Sequence, residues 1–151
     1  MMGTHEMPDS TINSGAAAEP VGAYPHARRV GNLLFLSGVG PRRRGSKEIP
    51  GVTLDSSGAM IDYDIEAQVR SCFDNVRTIL HDAGSRWENI VDVLVFLTDM
   101  KRDFAAYNRL WAEYFPPGAN QPCRTTIQIG ALPQGGNAPI AFEVKVVATI
   151  D

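Results

Sequence analysis

Residues 141–148 (AFEVKVVA) restrict the fold of this chain more than any other stretch. They read as a strand, and with Ile140, Phe142, Val144, Val146, Val147 and Ile150 the segment is too apolar for a solvated face. The far side of its sheet therefore needs cover, which predicts subunits packed sheet to sheet. The strand also carries Glu143. An earlier strand-like stretch, residues 122–133, carries Arg124 among similarly apolar neighbours. A buried charge is costly unless it is paired or meets a ligand, so Arg124 and Glu143 are either a structural ion pair or a site.

Periodicity supplies the other elements. Residues 1–20 are small, polar and aperiodic, and are expected to form a flexible arm or one ordered only against a neighbour; residues 21–151 form one domain. Residues 24–30 and 33–37 flank Gly31-Asn32, a hairpin signal, and the second of these strands is apolar enough to be covered on both sides. Residues 38–62, with Arg42-Arg43-Arg44 near their start, read as a long irregular loop. Ile65, Val69, Cys72, Val76, Ile79 and Ala83 mark a helix capped by Asp64 and ended by Gly84. A β-branched strand follows at residues 90–97. Phe104, Tyr107, Leu110, Trp111 and Tyr114 mark a second helix, capped by Thr98 or Asp99 and stopped at Pro116. The order ββ, loop, α, β, α, β, β predicts an α+β fold, a single mixed sheet with both helices on one face.

Charge and cysteine usage narrow the function. Fourteen Lys+Arg against 17 Asp+Glu leave a net charge of −3, which argues against nucleic acid as a partner. Cys72 and Cys123 form no CxxC pair, and reduced, cytoplasmic thiols are the simplest reading. No apolar run is long enough to cross a membrane, and no signal sequence is visible. His5, His26 and His81 lack ligand spacing, so neither a metal nor a cofactor is expected. Trp87 and Trp111 read as packing residues.

Several short pieces in order carry a resemblance: Leu34-Phe35-Leu36-Ser37-Gly38; Val95-Phe96-Leu97-Thr98-Asp99 with Phe104, Asn108 and Phe115; Pro122-Cys123-Arg124-Thr125; Ala131-Leu132-Pro133; and Glu143 with Val147-Ala148. From Val21 onward the chain resembles the RidA/YjgF family of enamine and imine deaminases. Its length, arginine-rich loop and residues 21–29 (VGAYPHARR) are most similar to the 2-aminomuconate deaminases within it. The resemblance implies a chorismate-mutase-like homotrimer whose sheets line a central barrel, with three sites at subunit interfaces; a dimer of trimers stays open. It implies that Arg124 binds the substrate carboxylate, that Glu143 handles water or a proton, and that Tyr24, Ser37 and Asn108 line the pocket. Two positions depart from the family pattern. Thr126 stands where the family often has Cys, and Ala23-Tyr24-Pro25 where it has Pro-Tyr-Ser, so the pocket shape is this chain's own.

Read from their chemistry, the same residues keep two meanings. Arg124 is a planar fork suited to a carboxylate, or one half of a structural pair. Glu143, desolvated on an apolar strand, is a usable acid or base, or a partner of Lys145 two positions on. Asn108 has poor helix propensity, which hints at a contact. The run Arg42, Arg43 and Arg44 is a solvated loop or, with Arg28 or Arg29, the source of a second anchor for a dicarboxylate. The expected activity is hydrolytic deamination of 2-aminomuconate to 4-oxalocrotonate and ammonia. A general 2-imino acid deaminase acting on substrates such as 2-iminopropanoate is the alternative within the class. Outside it stand a non-catalytic binder of small carboxylates and an RNA-acting protein.

Overall fold

Gly31 takes the positive φ of 61° that a two-residue turn requires, and the hairpin expected around it forms, joining β2 (Ala27–Val30) to β3 (Leu33–Leu36). The structure, a computed structural model, describes residues 9–151. In chain order the other elements are β1 (Ser10–Ile12), β4 (Val52–Leu54), β5 (Met60–Tyr63), α1 (Ile65–Asp82), β6 (Ile90–Leu97), α2 (Met100–Tyr114), β7 (Cys123–Gln128) and β8 (Phe142–Thr149). Six strands make one sheet in the order β1-β2-β3-β8-β6-β7. Among the described residues only the β6–β7 pair is parallel, so the sheet is mixed, as the element order predicted.

Both helices lie on one face. Asp64 caps α1 by accepting the Glu66 N–H, Asp99 caps α2 by accepting the Arg102 N–H, and Gly84 ends α1 with φ of 82°. Between helices and sheet, Phe73 meets Trp87, Trp111, Tyr114, Phe115 and Phe142 edge to face, a geometry that aromatic rings prefer over stacking.

Three expectations need correction. Residues 38–62 are not wholly irregular: β4 and β5 pair as a small second sheet around a turn in which the Asp55 carboxylate accepts the Ser57 and Ala59 N–H groups. The arm expected at residues 1–20 falls partly outside the described residues, as does His5, but from residue 9 it is docked. There β1 pairs with β2, and Ser14 and Ala17 are buried. Its latch is His26, whose Nδ1 accepts the Ser14 N–H while Nε2–H donates to the Ala18 carbonyl. Order that comes from backbone pairing and one histidine leaves no hydrophobic period to read.

The third correction concerns β8. Phe142, Val144, Val146 and Ile150 are buried, and by the alternation of a strand they face the chain's own helices together. Of the other two residues that predicted sheet-to-sheet packing, Ile140 precedes the strand and is buried in a separate cluster with Ile49 and Ala138, and Val147 looks the other way. The apolar character of that far face comes instead from its neighbours. Phe35 pairs with Val147, and Leu33, Phe35 and Ile127 are exposed. β3 is therefore covered on one side only within a single chain.

Candidate functional site

Arg124 pairs with Val93 in the β6–β7 ladder and shares its helix-facing side. There α2 receives it. Nη1 donates to Asn108 Oδ1 at 2.8 Å, and the guanidinium carbon lies 5.3 Å from the Tyr107 ring centre and 5.0 Å from that of Trp111. Tyr107, Asn108 and Trp111 are presented together because positions i, i+1 and i+4 place two of them on one face and the third at its rim. The Tyr107 hydroxyl and Thr126 Oγ1 are 2.8 Å apart, which holds the ring from the strand side. Among the described residues no carboxylate lies within ion-pair distance of Arg124. It is not half of a structural ion pair.

Glu143 lies on the opposite face. Its partner across the sheet is Phe96, which in turn pairs with Ile127. Its carboxyl rests against the chain at Gly38, where a Cβ would come within 2.5 Å of Oε2, so the glycine is what admits it. Burial pushes the Glu143 carboxyl above the ordinary carboxylate range, and the nearby Arg42 guanidinium partly offsets this. Lys145 is not its partner, since the ammonium donates to the Leu36 carbonyl, and burial lowers its pKa.

Beside Glu143 a cavity of about 30 Å³ is lined by Tyr24, Ser37, Gly38, Arg42 and the arm at residues 18–21. Tyr24 is largely exposed, whereas the Ser37 hydroxyl donates to the Pro25 carbonyl at 2.7 Å. Of the arginine run, only Arg42 turns inward: Nη2 donates to the Pro133 carbonyl at 2.7 Å, and Nε is buried without a partner. Arg43 faces solvent beside an open groove shared with Arg42 and Lys47. Arg44 is tied to the arm through the Ala17 carbonyl, and Arg29 to the Gly31 carbonyl, while Arg28 is exposed.

The expected residues thus form two groups on opposite faces of one sheet, and no single protomer brings Arg124 to Glu143. Thr126 joins Arg124's group by holding Tyr107. Sequence reasoning missed three contributors. Tyr107 and Trp111 were legible only as an apolar stripe, although flanking Asn108 at i−1 and i+3 was a usable signal. Asn75 is a buried amide on α1 that donates to the Gly40 and Arg42 carbonyls and accepts the Ala18 N–H, pinning the arginine loop to the arm. Among the described residues no group of three or more His, Cys, Asp or Glu side chains is gathered as a metal site would need, and no helix is long and apolar enough to cross a membrane.

Fold and site together define a small α+β protein with an acid-free guanidinium on one face of its sheet and a desolvated carboxyl on the other. The chain belongs to the Ribonuc_L-PSP family, described as endoribonuclease L-PSP, whose pattern matches residues 14–150; this is the RidA/YjgF family to which the sequence motifs pointed. A RutC family protein of Pyrococcus horikoshii is 32% identical over 133 residues, covering 87% of this chain and 90% of that one. The Reactive Intermediate Deaminase A of Arabidopsis thaliana, a chloroplastic protein, is 32% identical over 139 residues, covering 92% of this chain and 65% of its own. Among solved structures, E. coli TdcF with bound serine superposes with a TM-score of 0.77 at 26% identity, covering 94% of this chain and 99% of that one.

Proposed function

We propose that the protein hydrolyses 2-imino acids and their enamine tautomers to 2-oxo acids and ammonia, working as a homotrimer, with 2-aminomuconate as its preferred substrate. The observation that carries this reading is Arg124: a guanidinium held in place by Asn108 and two aromatic faces, with no carboxylate of its own among the described residues. The Arabidopsis relative's name and the serine bound to TdcF support a small amino- or imino-carboxylate as ligand.

In the trimer a neighbouring copy supplies the Glu143 group to each Arg124. Arg124 holds the carboxylate next to the nitrogen-bearing carbon, and the enamine tautomerises to the imine. Water oriented by Glu143 adds to the C=N carbon and passes a proton to nitrogen. Collapse of the resulting aminol breaks the C–N bond, forms the C=O bond and releases ammonia. Imines hydrolyse in water unaided, so orientation and electrostatics supply much of the rate. Arg42, with its unpartnered Nε beside Tyr24 and Ser37, is the loop arginine best placed for a second carboxylate.

The test is ammonia release from 2-aminomuconate and from 2-iminopropanoate. Arg124→Ala should abolish both, and Arg42→Ala should raise KM for the dicarboxylate far more than for the monocarboxylate. Wild-type kcat/KM in Arg124→Ala would overturn the deaminase reading, and equal effects of Arg42→Ala on both substrates would overturn the preference for 2-aminomuconate.

A further inference from the structure

The guanidinium of Arg124 leaves one edge open. Nη1 is occupied by Asn108 Oδ1, and the Tyr107 hydroxyl also lies against the guanidinium, but no carboxylate or carbonyl among the described residues takes Nε or Nη2. Those two N–H groups are parallel and form the side-on fork that matches the two oxygens of a carboxylate. Which way the fork faces depends on the surface beneath it. Two rings make that surface, Trp111 and Tyr107, and Tyr107 is the tethered one: it is fully buried, met edge-on by Phe104 and Trp111, and fixed at its far end by the 2.8 Å contact with Thr126 Oγ1. Arg124 and Thr126 are two residues apart on β7 and face the same way, so one strand supplies both the cation and the tether of the ring under it.

We propose that Tyr107 and Thr126 are positioning residues for Arg124, their hydrogen bond setting the ring on which the guanidinium rests so that its Nε/Nη2 edge meets the substrate carboxylate. The inference rests on the reading of Arg124 as the carboxylate anchor. It assigns Thr126 a role distinct from substrate contact, because its hydroxyl is engaged by Tyr107. It also makes Tyr107 more than a packing residue, since phenylalanine would fill the same space without the tether.

A structural role and a positioning role predict different behaviour for the paired variant. Thr126→Val takes away the hydroxyl that pairs with the buried Tyr107 hydroxyl and lowers stability under either view. Tyr107→Phe combined with Thr126→Val removes both polar groups, which relieves that penalty. If the pair only packs, Tm and KM both return to wild type. If it positions Arg124, Tm returns while KM for 2-iminopropanoate stays raised, on the order of tenfold, with kcat little changed, because Arg124 is still present to hold the carboxylate once it is bound. Thr126→Ser, which keeps the hydroxyl, should restore KM. Tyr107→Phe alone supplies the same KM reading should the double variant fold poorly, since the half-buried Thr126 hydroxyl can reach water. A wild-type KM in Tyr107→Phe and in the double variant overturns the inference, provided Arg124→Ala is inactive. Full activity in Arg124→Ala overturns the anchor reading itself.

Discussion

Glu143 shows how the role proposed for one residue is set against stability. Burial raises its pKa above the ordinary 4.5, with Arg42 acting in the opposite direction. A carboxyl whose folded pKa is raised favours the folded state below its unfolded value, and that contribution is lost as pH rises through the folded value. Glu143→Gln should therefore unfold at a higher temperature than wild type near neutral pH, with the difference vanishing below 4.5, while deamination falls sharply. Thermal melts across that range check the sign. In Arg42→Ala the offsetting charge is gone, so the limb of the pH–rate profile that belongs to Glu143 should move to higher pH. Arg124 and Glu143 were legible in the sequence because a charge inside an apolar strand breaks a pattern. Tyr107 and Trp111 were not, because an aromatic that supports a cation fits the same helical stripe as one that only fills space.

Among elements, the long periodic ones were readable nearly to the residue: α1 starts after Asp64, α2 after Asp99, and β6 spans the stretch its β-branched residues marked. The docked arm and the β4–β5 sheet were not, because strands this short draw their order from partners elsewhere in the chain. For the arm those partners are few and named. Ser14 Oγ donates to Asp82 Oδ2 at 2.6 Å, and His26 holds Ser14 and Ala18 from both ring nitrogens. His26→Ala should leave the Ser14 N–H unpaired and cost about 1–3 kcal/mol. The loss should be local: amide exchange should quicken in β1 and residues 13–18, and far less in β8, which is read by hydrogen exchange of the two proteins. For β5 the anchor is Tyr63, whose hydroxyl donates to the buried Asp103 carboxylate while Arg102 lies over its ring at 3.7 Å. Tyr63→Phe should lower stability by a similar amount, about 1–3 kcal/mol, measurable as a shift in the denaturant midpoint.

At the scale of the whole molecule, fold class was legible, and the direction in which each side chain faces was not. A run as apolar as β8 says that a strand is buried without saying which face its period serves, so its sequence assigns to a subunit interface residues that pack on the helices. The same uncertainty hid the separation of Arg124 from Glu143, because the two read equally well as neighbours. Their placement on opposite faces makes the trimer testable without a structure of it. If each site takes Arg124 from one subunit and Glu143 from the next, Arg124→Ala and Glu143→Gln are each inactive alone but complement each other. In a mixed trimer one junction always joins an intact Arg124 to an intact Glu143, whichever variant is in the majority. Three-quarters of trimers assembled at random from equal amounts are mixed, and each carries one working site in three, so activity should return to roughly a quarter of wild type. Coexpression followed by an ammonia assay measures it. A site contained within one subunit gives no recovery at any ratio, and Phe35→Glu, which puts a charge on the apolar outer face beside Val147, should abolish assembly and recovery together.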